Sequence, residues 1–369
     1  MDKYKNKTHR CFILTVVIII LSGCASQMGD PGFNKSVDPE KKYAVVRTFF
    51  ATDRNVTGNN EPDKVFGDGR GSSDLNYGSC DVSIPRDHRM GELESPSIWK
   101  LEFREDPKKH IVLLETSIKP RETFYSEIAE KVASFPKSSA LVFVHGFNVS
   151  FEDAARRTAQ MSYDLGFEGA PIFYSWPSQG ELFAYTVDEQ NIEWSQANIK
   201  NFLEDFFKNS NIENVYLIAH SMGNRGLARA VAALMTEKPD YRTRLKEVIL
   251  TAPDIDSDVF RRDIAPALVS SGCPVTLYSS SKDFALKISK EIHKYPRAGD
   301  SGKGLVIVPG IETIDATRVD TSLIGHSYFA ESKSVLSDIF YVIRCGQGAD
   351  YRFGLKPAAA KAGKYWKFK

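Results

Sequence analysis

The sequence predicts an α/β fold, a mostly parallel, doubly wound sheet with helices on both faces. From residue 140 onward, short apolar runs typical of buried strands alternate with amphipathic or alanine-rich stretches of helical length. The chain of 369 residues is 42% hydrophobic and 26% charged, an ordinary globular composition with enough apolar material for a large core. Its formal net charge of +1 gives no support for binding to nucleic acid.

Each element follows from a local pattern. Strands are short apolar runs, and helices repeat apolar residues every three or four positions, as Phe124, Ile128 and Val132 do. Ser150 and Asp153 are typical of a capping box at the start of a helix. In chain order, strands are predicted at 43–50, 80–84, 111–114, 141–144, 171–175, 215–219, 248–251, 275–279 and 305–308, and helices at 124–135, 150–165, 193–209, 227–234, 258–270, 284–293 and 332–344.

The first 24 residues differ from the rest of the chain. Four cations precede an apolar run at 11–21 that is too short to span a bilayer as a mature helix, so it predicts a secretory signal. The run ends in Leu-Ser-Gly-Cys, which resembles the cleavage box of bacterial lipoproteins. The resemblance implies cleavage before Cys24, lipidation of its thiol and a lipid-anchored place in the bacterial cell envelope. Ala25 then favours the outer membrane where two membranes exist, and a plain signal peptide with a chance cysteine is the alternative.

The composition divides the chain into four segments. Residues 1–23 are the predicted signal peptide, and 24–42, rich in Gly, Pro, Asp, Ser and Lys, form a tether. Residues 43–345 form the folded domain, and 346–369 form a basic aromatic C-terminal tail. We interpret the tail as a solvated, partly ordered terminus, with contact to anionic lipid or a glycan polymer as the alternative.

Three cysteines, Cys80, Cys273 and Cys345, would remain in an oxidising compartment. The odd number permits one disulfide and one buried thiol, and the sequence leaves the pairing open. No CxxC spacing indicates a metal site.

The central motif is the corner that follows the strand at 215–219. His-Ser-Met-Gly leads from this strand into an alanine-rich helix, which is the arrangement of a nucleophile elbow with Ser221 at its tip. The flanking small residues are Ala219 and Gly223, where glycine is usual at both positions. An ordinary strand-to-helix turn is the alternative.

A serine hydroxyl needs a neighbouring base, usually a histidine that a carboxylate orients. In this architecture the partners come from loops at the same strand ends, in the chain order serine, acid, histidine. Of the seven histidines, His326 lies in a loop after the last predicted strand and is the predicted base. His293 is excluded because it should lie at the far end of its helix, pointing to the opposite edge of the sheet.

Two aspartates follow strands at the correct edge. Asp283 follows the strand at 275–279 and is the predicted acid, because the later position is the commoner one. Asp254, which follows the preceding strand, is the alternative acid. Asp315 and Asp320 are expected to hold turns.

The strand at 141–144 runs into His145-Gly146-Phe147-Asn148. A glycine at this point lets the next N–H group turn into the site, so we expect the N–H groups of Phe147 and Met222 to form an oxyanion hole. His145 is expected to support this loop by hydrogen bonding rather than to transfer protons.

Several motifs together resemble one family, the bacterial α/β-hydrolases of the "domain of unknown function 900" group. The motifs are Phe49-Phe50-Ala51-Thr52-Asp53-Arg54, His145-Gly146-Phe147-Asn148, Tyr174-Ser175-Trp176-Pro177-Ser178, Ala219-His220-Ser221-Met222-Gly223-Asn224, Ala252-Pro253-Asp254-Ile255-Asp256 and Gly325-His326-Ser327, within about 43–344. The resemblance implies the α/β-hydrolase fold and esterase- or lipase-like chemistry, with substrates undefined.

Further residues are expected to line the site: His145, Gly146, Asn148, Trp176 and His220. The segment 176–194, with Phe183, Tyr185 and Asp188, is either a wall or lid over the serine or a loop packed on the sheet edge. Asp53 and Arg54 either line the site or form a buried ion pair.

The sequence therefore predicts a membrane-anchored serine hydrolase that acts through Ser221, His326 and Asp283. Carboxylic esters, as small molecules or lipids, are the expected substrates, and no metal or organic cofactor is expected. The alternatives are a serine peptidase or thioesterase and a non-catalytic envelope lipoprotein that uses the fold for binding. The oligomeric state is not predicted.

Overall fold

The computed structural model describes residues 42–72, 74–97, 101–181, 184–302, 304–319 and 332–369. The predicted signal peptide and nearly all of the predicted tether, including Cys24, lie outside these residues. His326, Asp320 and Phe183 also lie outside them, so their predicted roles stay predictions. No helix in the described part of the chain is long and apolar enough to cross a membrane.

A single sheet of eleven strands organises the fold, in the order β12-β13-β11-β10-β9-β8-β6-β7-β1-β4-β5, with β2 and β3 forming a separate hairpin. The strands are β1 (Tyr43–Thr52), β2 (Arg54–Val56), β3 (Phe66–Arg70), β4 (Asn76–Pro85), β5 (Leu113–Lys119), β6 (Ser139–Val144), β7 (Ala170–Ser175), β8 (Asn214–His220), β9 (Leu245–Thr251), β10 (Val275–Ser279), β11 (Glu312–Asp315), β12 (Leu355–Ala360) and β13 (Gly363–Phe368). Seven neighbouring pairs are parallel, namely those along the series β1-β7-β6-β8-β9-β10-β11-β13. The outer pairs, β1–β4, β4–β5 and β12–β13, are antiparallel.

Helices cover both faces of the sheet. They are α1 (Arg121–Ala133), α2 (Phe151–Asp164), α3 (Tyr185–Asn209), α4 (Gly223–Glu237), α5 (Ser257–Val259), α6 (Ala265–Ser270), α7 (Phe284–His293) and α8 (Lys333–Cys345). Side chains of α1, α3, α4 and α6 pack in one core, and those of α2 and α8 pack in a second core. Two cores on one mostly parallel sheet make a doubly wound α/β fold, which confirms the predicted fold class.

Capping fixes where some of the helices begin. Ser150 accepts a hydrogen bond from the N–H of Asp153 at 3.0 Å, which confirms the predicted capping box of α2. Helix α3 begins eight residues before the predicted start, since Tyr185 is its first residue. The predicted helix at 258–270 is interrupted by a wide turn at Phe260–Ile264 between α5 and α6.

The parallel strands end at one level. Val144 of β6 lies opposite Ala219 of β8, and Thr251 of β9 lies opposite both His220 of β8 and Tyr278 of β10. The loops that follow these strands therefore meet at one edge, which we call the carboxyl edge.

The predicted last strand at 305–308 is wrong. These residues are irregular, and β11 begins at Glu312, after a turn in which Gly310 has a φ of +91°. Residues 305–308 are more apolar than the residues of β11, so the sequence pattern favoured them as the strand. The carbonyl of Val306 instead accepts a hydrogen bond from the hydroxyl of Thr313 at 2.8 Å, and Val306 packs in the first core.

The prediction that residues 346–369 form a solvated, partly ordered tail is also wrong. Residues 355–368 form the hairpin β12–β13, and β13 pairs with β11 in the central sheet. Leu355, Trp366 and Phe368 are buried in the second core, which explains why this segment is ordered. The folded domain therefore extends beyond residue 345.

Cys80, Cys273 and Cys345 are all free thiols. Cys80 and Cys273 are buried, and burial raises the pKa of both thiols. The disulfide that the sequence permitted is not formed among them.

Candidate active site

The corner after β8 has the backbone of a nucleophile elbow. Ser221 has a φ of +50°, which is unusual for serine and costs about 1–3 kcal/mol. The neighbouring backbone holds this conformation, because the N–H of Ser221 donates to the carbonyl of Thr251 at 3.0 Å, and the N–H of Asn224 donates to Ser221 at 3.2 Å. The Asn224 side-chain amide donates to the same two carbonyls, at 2.9 and 3.0 Å.

Gly223 is required by the close approach of β6 to the elbow. A Cβ atom on Gly223 would lie 2.3 Å from the carbonyl oxygen of His145, a distance that no side chain tolerates. Ala219, the departure from the usual glycine, is fully buried between neighbouring strands, where its methyl group fits.

The loop after β6, residues 145–148, lies against the elbow, and we call it the oxyanion loop after its predicted role. A Cβ on Gly146 would lie 2.9 Å from Nδ1 of His220 and 3.0 Å from Cβ of Ser221, so only glycine fits there. Met222 immediately precedes α4, whose dipole is positive at this end. The close contact of Gly146 with Ser221 brings the loop that contains Phe147 against the elbow, and the roles of the Phe147 and Met222 N–H groups stay predictions.

His145 is held as a neutral structural group. Its Nδ1 lies 2.9 Å from the carbonyl of Gly146 and its Nε2 lies 3.2 Å from Oγ of Ser175. Its ring stacks on Trp176 at 5.0 Å, and the indole N–H donates to the His145 carbonyl at 2.8 Å. Burial, together with the charge of Arg54, lowers the pKa of His145 to about 3. It therefore supports the loop without a charge of its own.

Arg54 also supports this loop, and it shares the Ser175 hydroxyl with His145. The side chain is fully buried, and its guanidinium donates to Oγ of Ser175 at 2.8 Å and to the carbonyls of Ser178 and Val149 at 3.0 and 2.8 Å. Burial lowers its pKa to about 10. The ion pair considered with Asp53 is not formed; Asp53 accepts instead from the Asn198 amide at 3.0 Å.

Asp188 of α3 completes this support. Its carboxylate accepts from Oγ of Ser178 at 2.5 Å, from the N–H of Gln179 at 2.9 Å and from the N–H of Asn148 at 3.4 Å. Asn148 has a φ of +57°, so this contact anchors a turn with an uncommon backbone. Burial raises the pKa of the Asp188 carboxyl.

Asp254, the alternative acid, is surrounded by donors. Its carboxylate accepts from Arg297 at 2.7 Å, Arg225 at 3.2 Å, Ser289 at 2.6 Å and Tyr185 at 2.5 Å. Burial alone would raise its pKa, but the charges of Arg225 and Arg297 hold it well below the usual range. These four side chains occupy the acceptor positions of the carboxylate. The backbone N–H of Asp254 donates to the carbonyl of Ser221 at 3.2 Å.

Asp283 is placed differently. It lies in the loop after β10, is buried, and caps α7 by accepting from the N–H of Leu286 at 3.0 Å. Asp315, at the end of β11, accepts from the N–H of Thr317 at 3.0 Å and so holds a turn, as expected.

The predicted position of His293, at the edge of the sheet opposite the elbow, is wrong. Helix α7 crosses the carboxyl edge, so His293 lies 5.9 Å from the ring of Tyr185 rather than at the opposite edge. Its ring nitrogens contact Glu189 at 2.7 Å and the carbonyl of Ser289 at 2.8 Å. Both ring nitrogens of His293 therefore have partners within the fold.

Arg225 was missed from sequence, whereas Tyr185 lies in the segment 176–194 that was expected either to form a wall or lid or to pack on the sheet edge. The ring of Tyr185 lies 5.2 Å from that of Phe147, and its hydroxyl reaches Asp254, so it forms a wall beside the oxyanion loop. Arg225 follows Ser221 by four residues on α4, a helical spacing that could have indicated its place behind the elbow. In the described part of the chain, no cluster of His, Cys, Asp or Glu could hold a metal ion.

Solved structures with related folds include three hydrolases. A carboxylesterase from Bacillus subtilis is 11% identical, with a TM-score of 0.31 over 58% of this chain and 86% of its own. Lipase B from Aspergillus fumigatus is 12% identical, with a TM-score of 0.34 over 56% and 52%. Esterase B from Lactobacillus rhamnosis is 10% identical, with a TM-score of 0.32 over 79% and 81%. Likenesses this distant say nothing about the substrate of the present chain.

A comparison of the sequence with curated proteins finds no match. A family model described as an alpha/beta hydrolase of unknown function (DUF900) matches residues 121–344, which carry the elbow, the oxyanion loop and both candidate acids. The segment 43–120, with Arg54, precedes the matched range. The chain therefore belongs to the DUF900 family of α/β hydrolases.

Proposed function

We propose that this protein is a serine hydrolase that cleaves carboxylic esters through an acyl-enzyme. The observation that carries the proposal is the strained backbone of Ser221, whose φ of +50° is held by the hydrogen bonds of Thr251 and Asn224. Strain of this kind persists where a function needs it, since an ordinary strand-to-helix turn would relax it.

The proposed reaction begins with attack of the Ser221 hydroxyl on the substrate carbonyl. His326 accepts the serine proton and later donates it to the leaving alcohol, while Asp283 orients the imidazole and stabilises its positive form. The C–O bond to the alcohol breaks, the acyl group stays on Ser221, and water attacks this ester with His326 as base. The products are a carboxylic acid and free enzyme.

The oxyanion of each tetrahedral intermediate would be stabilised by the N–H groups of Phe147 and Met222. Two observations support this assignment. The Gly146 backbone is packed against the elbow, and Met222 stands at the positive end of α4. A single donor of this kind contributes roughly 100- to 1,000-fold in rate.

We also propose that the hydrolase is anchored in the bacterial envelope through a lipidated Cys24. The basic, apolar and Leu-Ser-Gly-Cys stretches within residues 1–24 support this. Mass spectrometry of the protein from a bacterial envelope fraction would test it, because an unmodified Cys24 contradicts the anchor.

The catalytic proposal is tested by labelling with a fluorophosphonate probe and by hydrolysis of p-nitrophenyl esters of increasing chain length. Wild type is expected to be labelled and active, and Ser221→Ala should lose labelling and at least 1,000-fold in kcat. The exposed Ser134→Ala serves as the matched control and should match wild type. Equal labelling of Ser221→Ala, or an unlabelled wild type, contradicts the proposal and favours a binding module.

The histidine assignment is tested separately because two histidines lie in the C-terminal part of the domain. His326→Ala should remove activity as fully as Ser221→Ala. His293→Ala should reduce kcat by no more than about tenfold, because the ring nitrogens of His293 contact Glu189 and the carbonyl of Ser289. The reverse result would assign the base to His293.

A further inference from the structure

The hairpin β12–β13 carries a cationic and aromatic surface that the catalytic proposal does not use. This hairpin surface consists of Tyr351, Phe353, Lys356, Lys367 and Lys369. Lys356 and Lys369 are exposed, Lys367 is half-buried, and Tyr351 and Phe353 are 79% and 76% exposed.

The strand register places most of this surface at the carboxyl edge. Lys367 pairs with Asp315, the last residue of β11, and β13 runs parallel to β11, so Lys369 lies beyond the end of that strand. Lys356 lies directly opposite Lys367, and Lys369 donates to the carbonyl of Phe353 at 2.6 Å. Four strand spacings separate β13 from β8, so the surface lies about 20 Å from the elbow along the same edge.

The lysines of this surface form no salt bridge among the described residues, and Asp315 beside Lys367 in the strand register is the one carboxylate paired with a residue of the surface. Residues 351–369 contain five lysines and no aspartate or glutamate. Among the described residues, no carboxylate lies within 4 Å of the ammonium groups of Lys356, Lys367 or Lys369. The pair Lys356 and Lys367 sets two like charges directly opposite each other, an arrangement that destabilises a sheet unless an anion meets it.

Lysines on an edge strand can also serve only to prevent pairing with another chain. The aromatic side chains argue against that explanation, because exposed rings promote association rather than prevent it. The Lys369 ammonium lies 4.8 Å from the Phe353 ring, so the cation and the apolar ring form one unit. Aromatic rings beside lysines are typical of side chains that enter the interface of a bilayer.

We propose that the hairpin surface docks on an anionic phospholipid bilayer and turns the carboxyl edge, with Ser221, toward the lipid. The lysines would meet the phosphate groups of the lipid, and Phe353 would enter the interface between headgroups and acyl chains. This inference rests on the proposed function. It extends that function by assigning the substrate to the class of esters held in a membrane surface.

Binding is tested by sedimentation with vesicles, using residues 25–369, which include every described element and lack the predicted anchor. Wild type should bind vesicles of phosphatidylcholine with about one third phosphatidylglycerol and not bind pure phosphatidylcholine. Lys356→Gln/Lys367→Gln/Lys369→Gln should weaken binding by roughly 30- to 100-fold. The matched control, Lys137→Gln/Lys208→Gln/Lys246→Gln, removes the same charge from exposed positions outside the hairpin and should bind as wild type does.

Phe353→Ser separates a bilayer from a soluble anionic polymer. It should weaken vesicle binding several-fold and leave binding to dextran sulfate unchanged, because only a bilayer accepts an apolar ring. Vesicle binding that is indifferent to lipid charge, to the three lysines or to Phe353 overturns the proposal.

Activity distinguishes the two proposals from each other. The triple hairpin variant should keep wild-type kcat on a soluble short-chain ester and lose activity on an ester embedded in anionic vesicles. Ser221→Ala should lose both activities and bind vesicles as wild type does. A wild type that hydrolyses the soluble ester but does not bind anionic vesicles overturns the docking proposal alone, whereas a wild type that binds these vesicles but hydrolyses neither ester overturns the catalytic proposal alone.

Discussion

Two buried polar networks flank Ser221. One is centred on a buried cation and the other on a buried anion. On one side the cation Arg54 is surrounded mainly by neutral acceptors, three of them carbonyls, with Asp68 at 3.5 Å, and burial lowers its pKa to about 10. On the other side the anion Asp254 is surrounded by Arg225 and Arg297, and its pKa is held well below the usual range. The first network holds the oxyanion loop, and the second holds the backbone behind the elbow.

The difference shows why position alone does not identify a catalytic acid. Asp254 follows a strand at the correct edge, as Asp283 does, and it lies beside the backbone of Ser221. Two arginines nevertheless hold its carboxylate, so its charge already stabilises the fold. A catalytic acid needs an acceptor that is directed at its histidine.

The largest expected effect therefore separates the two aspartates. Asp283→Asn should lower kcat by roughly 1,000- to 10,000-fold with little loss of stability, because an amide neither orients nor stabilises a positive imidazole. Asp254→Asn should lower the free energy of unfolding by about 3–5 kcal/mol, because two arginines lose a buried partner, with a smaller effect on kcat. Ester kinetics and urea unfolding of both variants measure these outcomes, and exchanged phenotypes would make Asp254 the acid.

The next effect tests the Arg54 network. Arg54→Lys keeps the charge, but one ammonium cannot span Ser175, Ser178 and Val149, so the oxyanion loop should lose its position. We expect kcat to fall about 10- to 100-fold with KM nearly unchanged, since the interaction lost matters most in the transition state.

Arg47→Lys is the matched control for this substitution, because Arg47 forms a partly exposed ion pair with Asp81, which lies away from the elbow. It should leave kcat unchanged. A wild-type kcat for Arg54→Lys would limit Arg54 to a role in stability.

Sequence reasoning predicted the parts of the site that depend on local backbone geometry. The elbow and the glycine loop follow from small residues at fixed positions beside apolar runs, and residues 141–144, 215–219 and 275–279 form strands as expected. The contacts of Arg54 join residues 54, 149, 175 and 178, whose separation along the chain exceeds any local signal.

The same limit explains the errors. Whether α7 runs back along the sheet or crosses its edge depends on packing against Tyr185 and Asp254, which local periodicity does not encode. The hairpin β12–β13 was read as a tail because its lysines conceal the alternating burial of Trp366 and Phe368.

The smallest expected effect concerns acid stability. The folded-state pKa of Asp254 lies below its unfolded value, so its ion pairs contribute stability that is present above about pH 4 and is lost as pH falls toward the folded pKa. Arg297→Gln removes one of the two charges that lower this pKa, while the hydrogen bonds of Ser289 and Tyr185 remain. The loss of stability should then begin at a higher pH, and the midpoint of acid unfolding should rise by roughly half a pH unit relative to wild type. Circular dichroism from pH 7 to pH 2 measures the midpoint, with the exposed Arg262→Gln as control. A midpoint that does not move would mean that Arg225 alone sets the charge state of Asp254, and the network would then be a single ion pair.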